Sequence, residues 1–356
     1  MKRLINMTIT EWPFFVGLGA GSVVITWMAV RLFRGWALSN KLLDHPNERS
    51  SHDRPIPRGG GIGIVLVVWI FGAFVNHSIP GIGLVVAGAL LIGVVSWLDD
   101  IRRGLSPAIR LIAHIGAAGL AIGAISGWSQ IAVPFVGKIA FGWPSYLLAM
   151  VWIVGLVNAY NFMDGIDGLA GVQAVTASAG WLAVGVFAGS PVLSATGTVI
   201  GSSAIGFLLH NWPPAKIFMG DIGSAFLGYT FAVIPVCAGW AVPGSLAARI
   251  PFAGLLMVAP FVLDATFTFL RRLAKGERLS QAHRSHIYQR LVITGLSHRG
   301  VTLVYSALGF LTSAAGVGFI FVEDRLMADV IASFSLAVSV GVLLCLVTLR
   351  ERGTSK

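Results

Sequence analysis

Apolar stretches of about 20 residues recur from one end of this chain to the other, and a run of that length can cross a bilayer as a helix. No other feature restricts the fold as much. A backbone in hydrocarbon must satisfy its own hydrogen bonds, so only helices and closed barrels span membranes. A barrel is excluded because its strands alternate polar and apolar over about 10 residues, and these runs do not alternate. Charged residues make up 11% of the 356-residue chain, against roughly 25% in soluble proteins. The chain therefore reads as an all-α polytopic membrane protein forming a single integral-membrane domain, 1–356.

Eleven spans are expected, near 12–33, 61–76, 82–98, 110–127, 145–162, 168–188, 193–210, 222–240, 250–270, 300–321 and 328–349. The first lacks a small-residue cleavage site and reads as a retained span. An odd number of spans puts the termini on opposite sides. Lys2, Arg3, Lys138, Arg249 and Arg325 then fall on one side, and the other twenty of the 25 Lys and Arg residues on the opposite side. Positive charge marks the cytoplasmic side, which makes the amino terminus periplasmic and the carboxyl terminus cytoplasmic. The net charge of +10 thus reports topology and contact with anionic membrane lipids, and nucleic acid is not an expected partner. Cys237 and Cys345 both lie in spans and read as small core hydrophobes.

Acidic residues are scarce, and most of them gather at cytoplasmic loops near 34–61, 99–110, 158–168, 211–224 and 271–299. Ionisable groups at a membrane are costly and mark function. In Asn158-Ala-Tyr-Asn-Phe-Met-Asp-Gly-Ile-Asp-Gly168, polar side chains recur every third residue at Asn158, Asn161, Asp164 and Asp167, as neighbours along a helix would. Arg58 precedes Gly59, Gly60 and Gly61, which could form a backbone nest for an anion or a close-packed helix start. Asp99 and Asp100 could act chemically, or pair with Arg102 and Arg103 at a helix end. Asp221, between Gly220 and Gly223, suits a Mg²⁺ ligand near phosphate or a helix cap. His283, Arg284 and His286 offer cations and donors for a pyrophosphate, or a basic face for lipid. Asp264 could be catalytic or a buried partner for an arginine. Walker, Rossmann, zinc-finger and nucleophile-elbow patterns are missing.

Asn-Ala-x-Asn-x-x-Asp-Gly-x-Asp-Gly-Leu-Ala from Asn158, followed by Asn-x-x-Pro-Ala-Lys-x-Phe-Met-Gly-Asp-x-Gly-Ser from Asn211 to Ser224, resembles the polyprenyl-phosphate N-acetylhexosamine-1-phosphate transferase superfamily. The Asp-Asp pair and the His-Arg-x-His loop stand in the expected order around these motifs. Ser50 to Gly61 and His283 to Gln289 look nearer to the O-antigen-initiating branch than to the peptidoglycan branch. The resemblance implies transfer of a sugar-1-phosphate from a UDP-N-acetylhexosamine to undecaprenyl phosphate, with release of UMP. It further implies Mg²⁺, with Mn²⁺ as the alternative, a bacterial inner-membrane location, and a dimer as seen among relatives.

By motif position, Asp99, Asp100, Asp164 and Asp167 form the catalytic set. Asp221 and Asp164 would lie at the metal. Arg58, Asn161, Asn211, Phe218, His283, Arg284 and His286 would bind substrate. A lysine that relatives carry soon after Asp-Asp is missing, and Arg102, Arg103 or Arg110 must supply its charge. A transporter or lipid-linked-sugar flippase is the competing class. It would place ions near the midplane on broken helices, commonly in inverted repeats, and no internal repeat is evident.

Overall fold

The computed structural model describes residues 12–45, 54–75, 81–102, 104–125, 128–278 and 283–354. Lys2, Arg3, the stretch from Pro46 to Asp53, and Arg103 lie outside the described residues. Among the described residues fourteen α-helices follow in order: α1 Trp12–Ser39, α2 Ile62–Val75, α3 Ile82–Arg102, α4 Pro107–Ile125, α5 Pro144–Phe162, α6 Leu169–Ala188 and α7 Pro191–Asn211. Then come α8 Asp221–Cys237, α9 Gly244–Ala247, α10 Ile250–Met257, α11 Ala259–Ala274, α12 Ile287–Ile293, α13 His298–Phe321 and α14 Arg325–Thr354.

In its described residues each of the eleven apolar runs is helical, but the runs are not equivalent. Among the described residues, eight helices are long and apolar enough to cross a membrane (α1, α3 to α7, α13 and α14). A ninth crossing would be the pair α10 and α11, bent by 78°. Pro260 causes that break, because a proline one residue into α11 removes an N–H and its ring excludes the preceding turn. Helices α2 and α8, at 14 and 17 residues, reach about 21 and 25 Å at 1.5 Å per residue. That falls short of the roughly 30 Å hydrocarbon core.

Layering follows burial. The hydropathy windows of α6 and α7 are 72% and 67% buried, against 22% for α1 and 28% for α14, so α6 and α7 form the interior. Exposed Phe14, Leu32, Phe74 and Phe334 form the kind of apolar surface that hydrocarbon, not water, tolerates. Cys345 is exposed on α14 and Cys237 half-buried, which corrects the expectation that both are core residues. Two antiparallel pairs were not expected: β1 Leu43–Asp44 with β2 Ile56–Pro57, and β3 Gln130–Val133 with β4 Gly137–Ala140.

The ends of α3, α5, α7 and α11 meet the starts of α4, α8 and α13 at one face, where α12 also lies. One local reading changes there. Helix α5 stops at Phe162, so Asn158 and Asn161 are helical while Asp164 and Asp167 lie in the following turn. Gly165 sits under the Tyr288 hydroxyl, where any Cβ would collide, and that hydroxyl donates to Phe162 O at 3.0 Å.

Candidate active site

Asp99 and Asp100 occupy the last turn of α3 rather than a loop, and their roughly 100° separation gives them different neighbours. Asp100 is fully buried. It accepts from Arg58 Nε at 3.0 Å and also from Nη2, and from the backbone N–H groups of Asp221 and Ile222 at 3.1 Å each. Those two N–H groups are orphans of the α8 amino terminus, so Asp100 caps a helix from another segment. Burial opposes the Arg58 charge, but the Asp100 carboxylate outweighs it and holds the guanidinium above its ordinary range.

Asp99 accepts from Leu105 N and from Arg110 Nη1 at 3.2 Å. The same Arg110 Nη1 lies 3.3 Å from Asp221 Oδ2. Of the described candidates for the missing lysine's charge, Arg110 therefore stands at the acidic centre, where Arg58 is a second cation. Arg102, the other described candidate, is exposed.

The glycine run does not form an anion nest. Gly60 N donates to Phe218 O at 2.9 Å and Gly61 N to Met219 O at 2.8 Å, while Phe218 N donates to Pro57 O at 2.8 Å. Gly61 meets Gly223 backbone to backbone, which brings α2 against α8 and holds the Asp221 turn in place.

Asp167 and Asn211 are similarly engaged with the protein. Asp167 Oδ2 accepts from Ala215 N at 2.9 Å, Oδ1 lies 3.5 Å from His298 Nδ1, and its carbonyl accepts from Thr302. Asn211 accepts from Gly168 N and donates to Ile217 O, both at 2.9 Å. These two residues, expected in catalysis and substrate binding, staple the 164–168 turn to the 211–220 loop. Phe218 is half-buried, with its backbone tied to Pro57 and Gly60.

Asp164 differs from its neighbours. Its carboxylate accepts no hydrogen bond among the described residues, and it lies in the turn beside α8. Burial, then the Asp221 and Asp100 carboxylates, push its pKa well above the ordinary carboxyl range. Asn161 accepts from the Ser224 hydroxyl at 3.2 Å.

The His283–His286 loop is organised by Asp264, which the sequence offered as catalytic or as an arginine's partner. Its ion-pair partner is His286. Fully buried, Asp264 accepts from His286 Nδ1 (3.1 Å), Ile287 N (2.9 Å), Tyr288 N (3.0 Å), Thr268 (3.2 Å) and the Tyr305 hydroxyl (2.5 Å). Because Nδ1 of His286 donates, Nε2 is the atom it can offer a substrate. His283 is not the cation expected: burial, then Arg272 and His286, lower its pKa to about 4.

Two cavities meet at Arg110. One, of about 430 Å³, is lined by Arg58, Asp99, Arg110, Asp221, Asp44 and His45. The other, of about 390 Å³, is lined by residues including Arg110, His114, Asn158, Asn161, Phe162, Phe269, Arg272, His283, His286 and Gln289. Arg284 is not among its lining residues. His114 was missed by the sequence reading, although it is an ionisable residue inside an apolar run, the same signal that singled out Asp164.

Among the described residues, no three His, Cys, Asp or Glu are arranged as a ready metal cage. Mg²⁺ does not require one. It is commonly held by one or two carboxylates, with water and substrate phosphates completing six oxygens. The Asp164 carboxylate, which accepts no hydrogen bond among the described residues and lies beside Asp221, supplies that donor chemistry, so the residues fit a hard divalent cation.

Residues 82–239 match glycosyl transferase family 4. The chain is 32% identical over 280 residues, 77% of its length and 76% of the relative's, to a probable undecaprenyl-phosphate N-acetylglucosaminyl 1-phosphate transferase of Bacillus subtilis. The chain belongs to glycosyl transferase family 4. The likeness extends to a decaprenyl-phosphate N-acetylglucosaminephosphotransferase of Mycolicibacterium smegmatis, 31% identical over 94% of this chain and 89% of the relative. A phospho-N-acetylmuramoyl-pentapeptide-transferase of a Synechococcus strain is 27% identical over 84% of this chain and 88% of the relative. The family 4 match takes in Asp99, Asp100, Arg110, Asn161, Asp164, Asp167, Asn211, Phe218 and Asp221, whereas the His283–His286 loop lies beyond it.

Proposed function

We propose that this family 4 protein transfers an N-acetylhexosamine-1-phosphate from a UDP-sugar to undecaprenyl phosphate, releasing UMP. The observation that carries the reading is Arg110. It bridges Asp99 and Asp221 and lines both cavities, so one cation faces the place where two phosphorylated substrates would meet. The names of the relatives support N-acetylglucosamine as the sugar. The resemblance of Ser50 to Gly61 favours a role in starting O-antigen or a related surface glycan.

The cavity beside Arg58, Asp99 and Asp221 takes the pyrophosphate in this reading. The cavity beside His283 and His286 takes the sugar. The acceptor head enters between α4, α5 and α11 past half-exposed Phe162 and Phe269. An acceptor phosphate oxygen bonds to the β-phosphorus as the bond to the oxygen bridging to the α-phosphate breaks, and that electron pair leaves with UMP. A phosphate monoester has a second pKa near 6, so the acceptor is mostly dianionic at neutral pH and needs no strong base. Asp99 then holds Arg110 against the developing charge, and Arg110 stabilises the transferring group. Asp164 and Asp221 would hold Mg²⁺, or Mn²⁺ in its place, which neutralises pyrophosphate charge when bound.

The positive-charge bias supports a cytoplasmic position for this face and a periplasmic amino terminus, and the family resemblance supports a bacterial inner-membrane location. A transporter or flippase remains the competing class. Purified protein should release UMP only with a divalent cation, and Asp221→Ala should abolish that release. Metal-independent transport without UMP would overturn the reading.

A further inference from the structure

His114 and Asn158 form a polar pair that the transfer chemistry does not use. They sit on facing helices, α4 and α5, and both line the 390 Å³ cavity. His114 is one turn, about 6 Å, further along α4 than Arg110, so the pair lies deeper from the acidic centre than the cation. Asn158 Nδ2 donates to Val154 O at 2.7 Å. That carbonyl fixes the amide orientation, since the opposite one would set two oxygens against each other.

The same Nδ2 lies 3.3 Å from His114 Nδ1. An amide nitrogen only donates, so Nδ1 must accept and the imidazole proton is on Nε2. Neither His114 Nε2 nor Asn158 Oδ1 has a partner among the described residues, and neither is sealed from the cavity. The cavity wall thus offers one neutral N–H donor beside one neutral carbonyl acceptor.

We propose that this pair reads the acetamido group of the donor sugar, with His114 Nε2–H donating to its carbonyl and Asn158 holding the tautomer that makes Nε2 the donor. A phosphate would be repelled by the amide oxygen, and a 2-hydroxyl oxygen, two bonds shorter than the acetamido carbonyl, does not reach the donor that the carbonyl reaches. A buried polar pair left half-satisfied is what rejects an analogue. This rests on the proposed transferase function, and it assigns specificity to two residues outside the acidic centre.

The test compares UDP-N-acetylglucosamine with UDP-glucose, together with UMP binding, in wild type, His114→Phe and His114→Gln. The wild type should prefer the acetamido sugar at least a hundredfold in kcat/KM. His114→Phe should lose about ten- to a hundredfold with UDP-N-acetylglucosamine, while affinities for UDP-glucose and UMP change less than twofold. His114→Gln, which restores an N–H donor, should recover part of the loss. A parallel fall in all three ligands, or an undiminished acetamido preference in His114→Phe, would overturn the inference and leave the transferase reading standing. Equal wild-type turnover of both sugars would overturn it without any variant. A wild type that releases no UMP from either sugar would overturn both.

Discussion

Asp264→Asn is a nearly isosteric change at a residue that touches neither cavity, and its cost can be worked from the donors around it. At the Oδ1 end, Ile287 N, His286 Nδ1 and Thr268 converge; at the Oδ2 end, Tyr288 N and the Tyr305 hydroxyl. An asparagine oxygen can serve one end only, and its NH₂ then faces a backbone N–H at the other. A buried N–H left without an acceptor costs about 1–3 kcal/mol, and hydrogen bonds to a charged acceptor weaken from about 1.5–3 to about 1 kcal/mol when the charge goes. The sum is about 3 kcal/mol, concentrated on the segment that presents His283 and His286. At 1.4 kcal/mol per decade, the correctly placed loop becomes up to about a hundredfold rarer. UMP release should fall between ten- and a hundredfold, while the Mg²⁺ concentration giving half-maximal rate stays unchanged, because Asp221 and Asp164 are untouched. Activity within twofold of wild type, or a shift in the Mg²⁺ requirement matching the loss of rate, would refute the reasoning.

Arg110→Met keeps side-chain length but removes the positive charge beside Asp99 and Asp221. Turnover should fall at least a hundredfold while the divalent cation binds several-fold tighter, which a metal titration of the rate would show. Gly61→Ala forces a methyl into the Gly223 backbone, so the folded yield by size-exclusion chromatography should collapse; a normal monodisperse peak would count against the α2–α8 contact. The pKa of His283 falls from 6.5 to about 4, so the unfolded chain takes up this proton first. Stability attributable to keeping His283 neutral is complete above about pH 6.5 and declines as pH falls towards 4. His283→Gln should therefore lose less thermal stability than wild type between pH 7 and pH 5, measured by melting in detergent.

Much of this architecture is legible in the chain because membrane helices announce themselves locally. Among the described residues each apolar run is helical, and Pro260 splits one where hydropathy alone suggested continuity. The motifs from Asn158 and Asn211 come together at one face, but their spacing does not show which partners each residue takes there. Asp100 looks equivalent to Asp99 in sequence. Its role as a cap appears only when the α8 amino terminus, more than a hundred residues later, is placed against it. The contacts of Asp167 and Asn211 with Ala215, Gly168 and Ile217 are not legible in the sequence, because those partners are backbone groups with no side-chain signature. The three glycines allow either a nest or a close-packed helix start, and the carbonyls of Phe218 and Met219, by taking two of their N–H groups, decide for the second. Asp264 could not be paired from sequence, because its partners range from Thr268 to Tyr305 and two of them are main-chain amides.

The central claim is that sugar and β-phosphate move together onto the lipid. UDP-N-acetylglucosamine carrying ³²P at the β-phosphate and ¹⁴C in the sugar should be incubated with the purified protein, Mg²⁺ and undecaprenyl phosphate. Both labels should appear in the lipid fraction in a one-to-one ratio, with UMP as the released nucleotide. Sugar label in the lipid without ³²P, accompanied by UDP, would contradict the account.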